Sequence, residues 1–289
     1  GPDGVLVRAA AAGVNPVDYK ARQGGLEGRF PAHFPLVPGW DVAGTVQDVG
    51  PDVSELAPGD EVVGYVRRDH VQWGTYAELV PAPIRTLARK PPEVGWAEAA
   101  ALPLAGLTAW QALTRGLQLR DGDVVLVHAA AGGVGSFAVQ LARLLGAARV
   151  IGTAGEGSHE YVRSLGAEPV TYGAGLEERV RALAPGGVSA VLDLAGGEAL
   201  EVSPRLLAPG GRLVSVLEPP KVVALGGRYV FVRPDAAQLA ELLRLVADGR
   251  LVVRVERTFP LAQAADAHTL LEGRHVHGKL VLEIDAWST

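Results

Sequence analysis

Between residues 124 and 145 an apolar run breaks into small residues and passes directly into an amphipathic repeat. Val124–Ala129 reads as a buried strand. His128-Ala129-Ala130-Ala131-Gly132-Gly133-Val134-Gly135 follows as a turn. Val134, Phe137, Ala138, Leu141, Ala142 and Leu145 then recur at the spacing of one helical face. Strand, glycine loop and helix in that order are the context in which a dinucleotide fingerprint has meaning. Aligned on that pattern, its three small positions are Ala130, Gly132 and Gly135. Gly133 and Val134 complete the loop. Small residues let backbone N–H groups approach a pyrophosphate, whose charge is favoured at a helix N-terminus. Gly135 would let the helix pack closely on its strand. A glycine-rich turn without a ligand is the bland alternative, and the flanking strand and helix argue against it.

The second strand, Arg149–Thr153, identifies the nucleotide. An NAD site places a carboxylate at the end of this strand to hold the ribose 2′-hydroxyl. Here the strand runs out in Ile151-Gly152-Thr153-Ala154-Gly155, and Glu156 comes two to three residues late. A 2′-phosphate is therefore not repelled, and Ser158, His159 or Arg163 could contact it, so NADPH is expected. Ser158 also suits an N-cap of the following helix, and both roles can hold.

Strands alternate with helices from residue 123 onward: strands at Ala190–Leu194 and Arg212–Leu217, and a helix at Ser158–Leu165. This implies a parallel sheet covered on both faces. The first 90 residues differ. Strand-like runs at Gly4–Ala12, Val42–Val49, Glu61–Tyr65 and Tyr76–Val80 are separated by Gly, Pro and Asp turns. Val14–Gln23 reads as a loop, and helices are expected at Ala97–Ala101 and Gly106–Arg115. After Arg250 come a strand (Leu251–Glu256), a helix (Leu261–Leu271) and a last strand (Lys279–Ile284). The order predicts an α/β protein with a doubly wound parallel sheet and a split, mostly β domain to which the C-terminus returns. The boundaries are 1–97, 98–240 and 241–289.

A chain of 289 residues with 48% hydrophobic residues can fill two cores. No apolar run approaches the roughly 20 residues that span a bilayer. The net charge of −5, without any basic block, excludes nucleic acid as a natural partner. Cysteine is absent, which removes disulfides, thiolate nucleophiles and sulfur-ligated zinc. With no signal peptide in view, the cytoplasm is the expected location. Methionine is absent as well, so further sequence is expected ahead of Gly1.

Several stretches carry a resemblance. Gly13-Val14-Asn15-Pro16-Val17-Asp18-Tyr19-Lys20, Pro35-Leu36-Val37-Pro38-Gly39-Trp40-Asp41-Val42-Ala43-Gly44, Pro58-Gly59-Asp60 and Ala101-Leu102-Pro103-Leu104-Ala105-Gly106-Leu107-Thr108 resemble the zinc-free medium-chain dehydrogenases/reductases of quinone oxidoreductase type. The closing Gly278-Lys279-Leu280-Val281-Leu282 fits as well, and the likeness runs from about residue 4 to 284. It implies a GroES-like catalytic domain beside the Rossmann domain, with an initial β-hairpin that would precede Gly4. Zinc-dependent alcohol dehydrogenases of this superfamily carry Cys where Asn15 stands and Gly-His-Glu where Gly39-Trp40-Asp41 stands, so no metal site is expected. His275 and His277, without a third ligand nearby, are read as surface or interface residues.

The resemblance implies hydride transfer to a quinone or an α,β-unsaturated carbonyl in the cleft between the domains. Asn15 would hydrogen-bond the carbonyl or the nicotinamide ribose, Asp18 would orient it, and Tyr19, Tyr65 or water would deliver the proton. The bland readings are turn residues for Asn15 and Asp18 and packing for Tyr65. Thr108 is implied on the nicotinamide side and Tyr172 near the 2′-phosphate. Phe231 and Val232 are implied at the carboxamide, and Lys279 as a further cofactor contact. The family's Ser after Thr-Ala is Gly155 here, which puts more weight on Ser158 and His159. Partners beyond the small-molecule substrate reduce to a second copy, in a homodimer joined through the nucleotide-domain sheets. The alternatives are an enoyl-reductase domain of a larger synthase, a non-catalytic NADPH-binding protein, and a zinc-free alcohol or sugar dehydrogenase. The last needs a general base, for which the first domain offers only His33 and His70.

Overall fold

The computed structural model describes residues 1–273 and 276–284. Its chain forms two compact units, one made of Gly1–Leu107 with Arg233–Thr289 and the other of Thr108–Val232.

The first unit is built on β1 (Gly4–Val14), β3 (Asp41–Val49), β4 (Glu61–Tyr65), β6 (Leu79–Pro83), β7 (Leu87–Arg89), β14 (Val255–Pro260) and β15 (Lys279–Glu283), joined in one sheet. β1 lies at its centre. One edge of β1 pairs along its length with β3. The other is shared by β6 at Gly4–Arg8 and β15 at Ala11–Val14. Alternate residues Val5, Val7 and Ala9 point into a core completed by Val42, Val46, Val62, Val80, Leu280 and Leu282. Two short strands, β2 (Ala32–Val37) and β5 (Val71–Trp73), form a separate parallel ribbon.

Val14–Gln23 is not a loop: Pro16–Arg22 is a helix. Pro16 sits where its missing N–H costs nothing, and the Asp18 carboxylate reaches back to accept the Asn15 N–H at 2.8 Å. The expected strand at Tyr76–Val80 begins instead at Leu79, because the amides of Thr75 and Tyr76 donate to the Gly39 and Pro38 carbonyls. Gly39 permits that fold-back. Its φ is +97°, and a Cβ there would stand 2.4 Å from the Tyr76 ring. The last segment also shifts, its strand running from Val255 to Pro260, while Leu251 and Val253 are buried as loop side chains.

The second unit holds six parallel strands: β8 (Val124–Val127), β9 (Arg149–Ala154), β10 (Glu168–Thr171), β11 (Val188–Asp193), β12 (Leu207–Ser215) and β13 (Arg228–Tyr229). Their order, β10-β9-β8-β11-β12-β13, is that of a doubly wound dinucleotide-binding sheet, whose direction of growth reverses between β8 and β11. Ligands of such sheets bind outside the C-terminal strand ends at that reversal. β12 begins earlier than the sequence suggested, so Pro209-Gly210-Gly211 lies inside it across a register shift. The α/β architecture with a doubly wound sheet and a split, mostly β unit is as expected. Among the described residues no helix is long and apolar enough to cross a membrane.

Candidate active site

The end of β1, the helix Pro16–Arg22 and the start of β3 bury three ionisable or amide side chains together. Asn15, Asp18 and Asp41 are each at most 2% exposed, and Lys279, the first residue of β15, is 4% exposed. The Asn15 amide Nδ2 donates to Asp41 Oδ2 at 2.8 Å, and its Oδ1 accepts from Lys279 Nζ. Lys279 Nζ also donates to the Val14 carbonyl at 2.7 Å. The other Asp41 oxygen accepts from the Leu104 N–H at 2.9 Å. Asp18 accepts a second bond from the Tyr76 hydroxyl at 3.0 Å, and that hydroxyl stands 3.2 Å from His268 Nε2.

Burial sets the electrostatics of this cluster. Loss of hydration pushes Asp18 up to about 7, with the neighbouring Asp41 charge adding to it against the Asn15 N–H. Asp41 rises to about 6 for the same reason, opposed chiefly by the Lys279 charge. Lys279 is lowered by its own desolvation, which its attraction to Asp41 and Asp18 only partly offsets. Burial and the Asp18 charge hold the Tyr76 hydroxyl well above the ordinary phenol range.

Of the residues the sequence singled out, Tyr19 is half-buried on the same helix, its ring 6.5 Å from His268. Tyr65 is fully buried, and its ring centroid lies 6.2 Å from that of Trp40. Tyr76, His268 and Asp41 enter the cluster without a sequence signal that marked them as partners. Tyr76 and His268 are 192 positions apart.

In the second unit, β8 runs into the loop at His128, and Gly132 heads the helix Gly133–Leu144 without a side-chain cap. The first N–H groups of that helix are thus left for a ligand. Ala129 takes a positive φ of 53°, and Ala130 is fully buried. A Cβ on Gly135 would stand 2.2 Å from the Ala129 carbonyl oxygen, which fixes glycine there. The Ala129 N–H donates to Thr153 Oγ1 and the Ala130 N–H to the Thr153 carbonyl, tying the loop to the end of β9. An uncapped loop of small residues of this kind fits a nucleotide pyrophosphate.

Gly155 and Tyr172 follow adjacent strand ends, and a Cβ on Gly155 would lie 3.9 Å from the Tyr172 ring. Tyr172 is 61% exposed. His159 Nε2 lies 3.4 Å from Thr171 Oγ1, Ser158 precedes His159, and Arg163 is exposed one turn further along. Arg179 donates to the carbonyls of Thr171, Tyr172, Gly173 and Ala174, and so holds the loop that carries Tyr172. Beyond β13, Phe231 stacks on Tyr229, and Val232 is buried. Thr108 is buried on the helix Pro103–Gln111. His277 is half-buried, and His275 lies outside the described residues.

Two family models match the chain: an alcohol dehydrogenase GroES-like domain over residues 1–92 and a zinc-binding dehydrogenase over residues 165–282. The chain is 36% identical to a chloroplast envelope quinone oxidoreductase homolog of Arabidopsis thaliana over 303 residues, covering 96% of this chain and 89% of that one. It is also 36% identical to the NADPH-dependent alkenal/one oxidoreductase of the same plant, covering 97% of this chain and 72% of that one. Among solved structures, the quinone oxidoreductase from Coxiella burnetii superposes with a TM-score of 0.87 at 35% identity, covering 98% of this chain and 91% of that one.

The zinc in the second model's description is not matched by the residues present. The chain has no cysteine. Asn15 offers an amide, Trp40 an indole, and Asp41 a carboxylate already bonded to Asn15 and Leu104. No group of three His, Cys, Asp or Glu side chains that could hold a metal occurs among the described residues. Such a donor set falls short of the three protein ligands of a catalytic zinc.

Proposed function

Since the chain belongs to the zinc-free, quinone oxidoreductase-like family of medium-chain dehydrogenases/reductases, we propose that it is an NADPH-dependent reductase of quinones or α,β-unsaturated carbonyls. Bound NADPH supplies a hydride from its nicotinamide ring.

One observation carries the choice of nucleotide. The end of β9 has no carboxylate: Thr153 is committed to the glycine loop, Gly155 faces Tyr172, and His159 and Arg163 lie on the helix that follows. A ribose 2′-phosphate meets an aromatic face and cationic or neutral donors there, whereas an NAD site would present an acid. Gly132, Gly133, Val134 and Gly135 hold the pyrophosphate. Ser158, His159, Arg163 and Tyr172 are the residues that would hold the 2′-phosphate.

In the first unit Asn15 serves as the hydrogen-bond donor to the acceptor's carbonyl oxygen. Negative charge gathers on that oxygen as hydride adds, so a fixed donor stabilises the transition state more than the ground state. Asp18 fixes Asn15 through its backbone N–H. Tyr19 or water delivers the proton, while the burial of Tyr65 against Trp40 suits packing better. The same reading has two copies pair edge to edge through their second-unit sheets, whose terminal strands are β10 and β13.

Steady-state oxidation of NADPH and NADH against 1,4-benzoquinone, 9,10-phenanthrenequinone, 2-hexenal and an enoyl thioester tests this reading. We expect turnover with NADPH, weaker turnover with NADH, and rates untouched by a chelator. Equal use of both nucleotides, or loss of rate with chelator, contradicts it.

A further inference from the structure

We infer that Lys279 is a positioning residue for Asn15, acting with Asp41 to lock the Asn15 amide as a one-way hydrogen-bond donor, rather than a contact to the cofactor. The inference rests on the role given to Asn15 above. It begins from where the lysine points. Its ammonium is buried and donates to the Val14 carbonyl and to Asn15 Oδ1. Two of its three hydrogens are therefore spent inside the first unit, where a phosphate-binding lysine keeps its charge toward the ligand.

An amide side chain can sit either way round, and its neighbours decide which. On one side of Asn15 stands a cation with no lone pair, and on the other a carboxylate with no hydrogen. Turning the amide over would set its NH2 group against the ammonium and its oxygen against the carboxylate, two repulsive contacts among buried groups where solvent screens little. The orientation is thus fixed with Oδ1 toward Lys279 and Nδ2 toward Asp41. Nδ2 carries two hydrogens. Asp41 takes one, and the other has no partner among the described residues. The cation on Oδ1 withdraws electron density from the amide while the carboxylate on Nδ2 returns it, so what the pair fixes is the direction of the remaining N–H.

The backbone supports the same arrangement. The Asn15 N–H donates to Asp18, and the Lys279 N–H donates to the Arg254 carbonyl at 3.0 Å. Gly278 takes a φ of +78°, and a Cβ there would stand 2.4 Å from that carbonyl oxygen. Glycine just before Lys279 therefore sets the start of β15 where the ammonium can reach Val14 and Asn15. One buried cation faces two buried carboxylates, so removing it alone leaves uncompensated charge. The test therefore needs a charge-neutral partner variant.

Lys279→Met and the double variant Lys279→Met/Asp41→Asn are compared with the wild-type enzyme in steady-state kinetics, in NADPH titration by fluorescence, and in thermal melting. The double variant removes the cation and one anion together and keeps nearly the same volumes, so it folds even where the single one does not. We expect kcat to fall at least about tenfold in the folded variants, a fraction of what deleting a direct oxyanion donor costs. The Kd for NADPH stays at the wild-type value. A raised Kd with kcat retained would make Lys279 a cofactor contact and overturn the inference. Unchanged kcat and Kd in a folded double variant would overturn it as well. Failure of the wild-type enzyme to reduce any quinone or enone would instead sink the functional reading beneath it, so the two failures are distinguishable.

Discussion

The Tyr76 hydroxyl donates to Asp18 at 3.0 Å and lies 3.2 Å from His268 Nε2. Because its one hydrogen goes to Asp18, His268 must donate to it from Nε2. That leaves Nδ1 as an acceptor facing Arg22, 3.5 Å away. His268 is thus held neutral, and burial together with the Arg22 charge lowers its pKa in the same sense. Arg22 in turn pairs with Glu272. The line from Asp18 to Glu272 ties the N-terminal helix to the helix Ala264–Glu272 through side chains alone.

Asp18 makes this line sensitive to pH. Its folded pKa is pushed up to about 7 by burial, from an ordinary 3.8. Between those values the folded chain holds a proton that the unfolded chain has lost, so this group's contribution to stability falls as pH rises through the window. Asp18→Asn keeps an acceptor for both the Asn15 N–H and Tyr76 but removes the titration. The variant should gain thermal stability over wild type progressively from roughly pH 4 to pH 7. A stability difference that stays flat across that range would show that Asp18 is charged and satisfied throughout.

His128 has the opposite sign. It is fully buried at the end of β8, with Nδ1 3.3 Å from Thr153 Oγ1 and Nε2 3.1 Å from Ser203 Oγ. Burial lowers it to about 4 from 6.5. The unfolded chain takes up its proton first as pH falls, so the stability it contributes is whole above about 6.5 and drains away toward pH 4. Urea titrations of wild type and His128→Gln should converge, or cross, as pH is lowered through that window. Parallel behaviour of the two proteins would mean that His128 is already protonated when folded.

Gly135 sits against backbone, not side chain. A methyl there would stand 2.2 Å from the Ala129 oxygen and 2.8 Å from the Ala130 Cα, neither of which can rotate away. Gly135→Ala should push the helix Gly133–Leu144 off β8, costing about 2 kcal/mol of stability and weakening NADPH binding by about tenfold or more. Gly157→Ala is the control, since a Cβ at Gly157 meets nothing within 4 Å. Fluorescence titration with NADPH reads the difference. Equal affinities for the two variants would place the nucleotide elsewhere.

Much of this architecture is legible in the sequence where local pattern and fold agree. The glycine loop is one case: an apolar run, small residues and a helical stripe lie within 22 residues, and the strand, turn and helix appear in that order. The helix Pro16–Arg22 is the counterexample. Asn15, Pro16 and Asp18 suit a turn and a helix start equally well, and the Asp18 bond back to the Asn15 N–H decides between them. Tyr76–Val80 has the composition of a strand, yet the Tyr76 amide is drawn to Pro38, and pairing begins three residues later. The site cluster was readable only in part. Asn15 and Asp18 stand in a recognisable motif, but Asp41, Tyr76, His268 and Lys279 meet them across 26 to 264 positions, through contacts that only the closed sheet creates.

Hydride transfer is the central claim, and isotope tracing tests it most directly. The enzyme is given NADPH deuterated at both nicotinamide C4 positions and an α,β-unsaturated ketone, and the product is read by mass spectrometry and NMR. The account predicts a saturated ketone carrying one deuterium on the β-carbon, with the α-hydrogen drawn from water. Product without carbon-bound deuterium, or no consumption of the ketone or of any quinone while NADPH remains bound, would contradict it.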